Sequence, residues 1–378
     1  MNNKYFFLLF LTVKSIYSQT FFTVPQNVWK FSVTEIYGNE KWKGHDGKPG
    51  WLSSYTLNGI KYNFRFNQNK NKMNLRSYAI DYGLTNDLNF SLRIAQYTSV
   101  SQNDSWYIKS DSSTKPMDEL LSLYYPKERS SKGIGDLMLG IKYLLRGDPA
   151  WKTSKAKFSI FAGVDYVMPF AEDLIGFKSK DQIKGVPKQF LQLPLGEGIP
   201  KVRIKSFGEF YSRYKKRLVN VNWSLGINLP MRNQINPRIT FLWIQNASMD
   251  SISQAIGDVI YKKGPSIEAL ISGQIEIIPK KLFVSGDVKW ESSLRDKYHS
   301  NSPAWNDWMT KRTNYDTRSI AVLQSVRINY SNLDQSTYFG PFPFEIEIGS
   351  SWNFPFLTYH KFAGTLIWLK LSSYFQAW

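Results

Sequence analysis

Ionisable residues recur through this sequence at alternate positions of polar–apolar segments, not in a compact motif. Lys61, Arg65, Arg93, Asp136, Lys142, Asp165, Arg238, Glu268, Glu276, Asp287, Arg327 and Glu345 all fall on the polar side of such segments. Acid–base catalysis needs a defined partner and a pocket, and this dispersed pattern specifies neither. The pattern suits a hydrated, salt-bridged wall, or a ring of charge that selects what passes. The chemistry expected of these residues is therefore passage of solutes, not turnover.

Other candidates are weaker. Histidine occurs three times, as His45, His299 and His360, with no second histidine or carboxylate at metal-ligand spacing. Cysteine is absent, which removes disulfides, thiolate metal sites and thiol nucleophiles. No serine context near His360 marks a nucleophile. Gly133, Gly135 and Gly140 are wrongly spaced for a phosphate loop, and no helix follows them. They fit better as small residues at the start of a strand. No cofactor, metal or enzymatic activity is expected.

The segments that must position these residues have a period of two. In 218–229, Val219, Val221, Trp223, Leu225, Ile227 and Leu229 alternate with Asn220, Asn222, Ser224, Gly226 and Asn228. One face wants hydrocarbon and the other wants water. Strands are predicted near 55–66, 75–84, 88–98, 134–145, 157–168, 218–229, 238–248, 266–278, 282–292, 318–330, 344–352 and 362–376. Each is close to the ~9–11 residues that a tilted strand needs to cross a bilayer. Short connections at Thr85–Asn86–Asp87, 146–156, 230–237, 279–281 and 331–343 alternate with long loops near 99–133, 169–217, 249–265 and 293–317. In outer-membrane barrels the short turns are periplasmic and the long loops extracellular. Residues 67–74 are taken as a polar turn. Residues 28–37 also alternate, but a single extra strand would break the even number of a bacterial barrel. The stretch 19–54 is therefore assigned to an N-terminal extension or plug.

Composition agrees. Aromatic residues make up 16% of the 378-residue chain, yet mean hydropathy is negative, at −0.36. That combination fits strands that are apolar on one face only. Residues 1–18 have the anatomy of a signal peptide: Lys4, then an apolar run from Tyr5 to Val13, then a cleavage site expected after Ser18. Formal net charge is +18 for the full chain, and loss of Lys4 and Lys14 with the peptide lowers it by two. Loop 169–217 is rich in Lys and Arg interleaved with Phe207, Phe210, Tyr211 and Tyr214. Basic residues among aromatics also mark single-stranded nucleic-acid sites. An exported barrel does not meet nucleic acid, so anionic lipopolysaccharide or the pore mouth is the expected neighbour.

Tyr82–Gly83–Leu84–Thr85–Asn86–Asp87–Leu88, with Phe90, Leu92 and Ile94 after it, resembles a hairpin of bacterial barrel transporters. Gly133–Ile134–Gly135–Asp136–Leu137, running into Leu139, Ile141 and Tyr143, is similar to a strand start in the same proteins. Both patterns occur in the fatty-acid transporter (FadL)-like proteins and the phenol-degradation meta-pathway outer-membrane proteins. The resemblance covers about 70 residues and implies a barrel of 10–14 strands that passes small hydrophobic or aromatic molecules. The terminal pattern departs from it. Trp378 and Tyr374 fit, but Lys370, Ser372 and Gln376 fall where apolar residues belong. Ile367, Leu369, Leu371 and Phe375 have the opposite phase, which calls for a terminal bulge.

The sequence thus predicts an all-β, antiparallel up-and-down transmembrane barrel of about 12 strands over 55–378. Its expected setting is the bacterial outer membrane, in contact with lipopolysaccharide. The leading function is a passive channel for small solutes, hydrophobic ones among them. The rivals are a non-conducting structural or adhesive barrel and an exported soluble all-β binding protein.

Overall fold

The computed structural model describes residues 23–376, apart from 125–126, 150, 152–157, 172–181, 184–185, 188–190, 215–216, 236–255, 312–316, 334–342 and 355. The expected signal peptide, strand 238–248, Arg238 and Trp378 lie outside the described residues. The elements in chain order are β1 (Val28–Lys43), β2 (Trp51–Leu57), β3 (Ile60–Gly83), β4 (Leu88–Lys109), α1 (Lys115–Tyr124), β5 (Glu128–Gly147) and β6 (Phe158–Met168). Then come β7 (Gln182–Ile183), β8 (Val186–Pro187), β9 (Lys201–Tyr214), β10 (Arg217–Pro230), β11 (Asn233–Ile235), β12 (Val259–Lys262) and β13 (Ser266–Ile278). The last are β14 (Leu282–Ser293), β15 (Lys297–His299), α2 (Pro303–Lys311), β16 (Ser319–Ser331), β17 (Phe344–Asn353) and β18 (Lys361–Gln376).

Twelve antiparallel strands close on themselves in the order β1, β3, β4, β5, β6, β9, β10, β13, β14, β16, β17, β18. Each pairs with the next, and β1 pairs with both β18 and β3. Closure leaves no strand edge in the bilayer, where an unpaired backbone amide or carbonyl would cost several kcal/mol. No helix among the described residues is long and apolar enough to cross a membrane; the strands do so instead.

The count matches the expectation, but two of the strands differ. Residues 28–43 are not an extension: β1 joins the two ends of the sheet, from Val28↔Gln376 to Lys43↔Lys361. Parity is kept because residues 60–66 of the predicted strand 55–66 and the predicted strand 75–84 are parts of one strand. β3 runs unbroken through 67–74, with irregular pairing to β4 near Asn69–Lys72 in place of a turn. The turn in this region lies earlier, at Asn58–Gly59, where φ is 51° and 77°. Positive φ at both positions is what a two-residue hairpin requires, and Asn-Gly supplies it. The second difference is β9. Residues 201–214 belong to the wall and not to loop 169–217, and they pair with β6 and β10. The connection 230–237 is correspondingly not a short turn: β10 pairs directly with β13, and the chain between them carries β11 and β12.

Alternation decides what each face meets. Val221, Leu225 and Ile227 on β10, Ile267 and Ile271 on β13, and Ile367, Leu369 and Leu371 on β18 are all at least 43% exposed. Apolar side chains left open all around a barrel form the surface that lipid covers. The β18 residues reach this belt in unbroken register with β1, so the bulge expected near the end does not occur. Below the belt, Trp29 stacks on Tyr82 at 4.2 Å, and Phe31 meets Phe375 edge-on at 5.5 Å. These rings form part of an interfacial girdle on the short-turn side. The chain is a transmembrane β-barrel.

On the opposite side, β2 with the upper parts of β3 and β4 rises above the rim. Lys41↔Asn69 is the last β1–β3 pair, so Ile60–Gln68 stand clear of β1. α1 covers the inner face of this projection, burying Met117 and Leu121 against Tyr62, Phe64 and Phe66.

Candidate functional site: the barrel lumen

Inward positions carry the ionisable residues, and almost all of them meet an opposite charge. In the half nearer the short turns, Lys142 donates to Asp81 at 3.2 Å and Arg93 stands 4.0 Å from the same carboxylate. Lys30 and the Tyr374 hydroxyl donate to Glu345 at 3.0 and 2.8 Å. Farther toward the loops, Lys205 donates to Asp165 at 2.7 Å. Arg327 is shared among Asp287, Ser285 and Ser272, at 2.8, 2.8 and 3.0 Å. Its guanidinium fork spans three strands, β13, β14 and β16, with one planar group.

Nearer the loops the charges form a chain. Arg203 lies 4.0 Å from Asp165 and 3.6 Å from Glu268. Lys289 lies 2.8 Å from Glu268 and 3.9 Å from Glu291, and Lys361 is 2.7 Å from Glu291. Each carboxylate here bridges two cations. This chain borders a cavity of about 80 Å³ under the outer mouth, whose other wall includes Trp42, His360 and Phe362. His360 stacks on His45 at 4.2 Å.

The lumen is not uniformly polar. On the arc β18–β1–β3–β4, Ile36, Met73, Leu75, Ala95, Tyr97, Val100, Leu366 and Trp368 form an inward apolar patch, and Leu193 packs into it with Leu195 beside it. Leu193 and Leu195 are not wall residues. They belong to the segment 191–200 that connects to β9, which folds back into the barrel. Its Glu197 carboxylate sits between Lys201 and Lys263, each at 2.8 Å. Burial pushes that carboxyl up, but the two ammonium groups outweigh it and hold it at about 2. The segment therefore touches the apolar arc on one side and the charged arc on the other.

Of the residues expected in the lumen, Arg93, Lys142, Asp165, Glu268, Asp287, Arg327 and Glu345 are inward and ion-paired, and Asp136 is inward and bonded to backbone amides. Glu276 is inward but serves the turns: it accepts the backbone amides of Leu218, at 2.8 Å, and of Lys280. Lys61 and Arg65, expected in the lumen, lie outside it. Lys61 is exposed on the outer projection, and Arg65 binds Asp46 and the Pro49 carbonyl outside the barrel. Both lie above the rim because β3 continues through the region taken as a turn. Lys30, Lys201, Arg203 and Lys205 are inward as well, on strands that sequence reasoning places in an extension and a loop. The signal was there in Lys201-Val-Arg-Ile-Lys205, a clean alternation inside a basic stretch.

No protein-family model matches the chain, and no curated protein matches it. Solved structures do. An outer-membrane channel from Pseudomonas putida F1 superposes with a TM-score of 0.55 at 12% identity, over 93% of this chain and 97% of that one. A FadL homologue of Pseudomonas aeruginosa is more distant, with a TM-score of 0.32 at 6% identity, over 93% and 90% of the two chains. The first likeness is one of fold: a closed outer-membrane-type barrel spanning nearly the whole of both proteins.

Proposed function

We propose that this chain is an outer-membrane channel that lets small solutes diffuse passively. One observation carries the reading: inward positions of the wall are polar or charged at both ends of the barrel, while the outward belt is apolar. Closing such an interior dry would leave polar groups unsatisfied at ~1–3 kcal/mol each. The P. putida structure of the same fold is itself an outer-membrane channel, which supports the assignment. The apolar patch around Tyr97 and Trp368 facing the charge chain suits solutes with both apolar and polar parts. Contact of the outer projection with lipopolysaccharide phosphates is part of the same proposal, and the exposed charge of Lys61 supports it.

Planar-bilayer recording from the purified protein tests the reading, and stepwise conductance is expected. Because lumen charges are largely paired, reversal potentials in a salt gradient should show weak selectivity that fades further at high salt. Absence of any conductance, including after removal of 192–199, would favour the second reading, a non-conducting structural barrel. What favours that rival is the segment lying across the bore.

A further inference from the structure

The Gly133–Ile134–Gly135–Asp136 motif lies where the inward-folded segment is seated. Asp136 accepts the backbone amide of Glu197 at 2.8 Å and that of Ala171 at 3.3 Å. Ser131 Oγ accepts the backbone amide of Leu193 at 2.7 Å. A Cβ at Gly133 would stand 3.0 Å from the Leu195 side chain, and one at Gly135 would stand 3.2 Å from the Leu195 carbonyl oxygen. On the segment itself, a Cβ at Gly196 would fall 2.1 Å from Asp136 Oδ1. Small residues on both partners permit this approach, and an inward carboxylate receives the amides that the approach presents.

We infer that Leu193–Ile199 is a displaceable gate of the channel, seated in a socket formed by Ser131, Gly133, Gly135 and Asp136 and latched by Glu197 between Lys201 and Lys263. The inference rests on the channel reading and adds to it a moving part. The segment is held by a few polar contacts and by the side chains of Leu193, Leu195 and Ile199, and β5 and β9 keep their own pairings without it. Its departure would clear the bore without breaking the wall. The latch is electrostatic, so an anion that competes for Lys201 and Lys263 would loosen it. The apolar patch is the seat for Leu193, and an apolar solute that takes the seat would hold the gate aside.

The chain has no cysteine, which makes a covalent lock clean. Single-channel currents would be recorded from the full chain and from three variants, each first shown to be a folded barrel by its heat-dependent gel migration. Glu197→Gln removes the latch charge, and Gly196→Ala crowds the socket against Asp136 without changing any charge. Ser131→Cys combined with Leu193→Cys places two thiols where the segment meets the wall. Each single variant is expected to raise the time spent open by about tenfold, the change that ~1.4 kcal/mol produces. The double-cysteine form is expected to bridge on oxidation, close, and reopen with dithiothreitol. Equal currents from the full chain and both single variants would overturn the gate and leave the channel standing. So would a cysteine pair that does not bridge or does not alter the current. No current from any of the four proteins would overturn the channel reading and the gate with it.

Discussion

Lys205 donates to both oxygens of Asp165, at 2.7 and 3.1 Å, across the seam between β6 and β9. Asp165 is fully buried and Arg203 lies 4.0 Å away on its other side. Removing the carboxylate leaves two inward cations facing each other. Asp165→Asn should therefore destabilise the barrel by roughly 3 kcal/mol, toward the low end for a broken buried pair because lumen water relieves part of it. Urea unfolding in detergent micelles would measure this. Adding Lys205→Met should recover much of the loss, and a double variant no more stable than Asp165→Asn would refute the pairing as the cause.

Equal exposure should have unequal consequences above and within the membrane. Leu225 is 55% exposed in the apolar belt and Leu52 is 61% exposed on the outer projection. Leu225→Arg should cost ~2–4 kcal/mol if it lies near the bilayer midplane. Leu52→Arg should be nearly neutral. Assembly yield in the outer membrane would compare them, and equal tolerance would contradict the placement of the belt.

Sidedness follows from the connections. A short epitope inserted at Ser112–Ser113, beside α1, should be labelled on intact cells. One inserted at Lys280, in the tight turn between β13 and β14, should be labelled only after the outer membrane is opened. The reverse pattern would invert the barrel.

The latch has a defined response to acid. Glu197 ionises near 2 in the folded protein, against its usual 4.5. A lowered carboxyl contributes stability above the unfolded value and loses it as pH falls toward the folded one. Open time should thus stay near its neutral value down to about pH 4.5 and rise between there and pH 2. Burial outweighs the pull of Glu197 and holds the Lys263 ammonium below its usual value, so the latched state binds that proton less tightly than the open one and alkaline pH is not expected to loosen the latch. Currents from Glu197→Gln should lack the acid limb.

The parts of this fold legible in the sequence are those governed by alternation alone. The phase of β10, with Asn220 and Asn222 inward and Val221 and Leu225 outward, follows directly from side-chain period. Boundaries are harder, because β3 is polar on both faces over 67–72, where it leaves the bilayer, and a strand without polar–apolar alternation looks like a loop. Asn58–Gly59 was the better turn signal in that region. Lys201, Arg203 and Lys205 were obscured for a related reason: a wall of charge resembles a basic loop until its partners are known. Those partners, Asp165 on β6 and Glu268 on β13, are brought together by pairings between strands far apart in sequence. The seating of Leu193 in the apolar patch that includes Trp368 is likewise an association over long separation, and no local pattern announces it.

β1 is bonded on one edge to β3 and on the other to β18, with Ser32 meeting Ser372 across the seam at 2.9 Å. The first strand of the barrel is thus completed by its last. Until residues near 376 arrive, β1 has an open edge, and no shorter sheet can seal itself by the same pairings. Insertion should be all-or-none and slow, as expected where the decisive contact joins distant parts of a chain. A protein shortened by a single strand at either end should accumulate as an unsealed intermediate and be cleared by periplasmic proteases, not survive as a smaller pore.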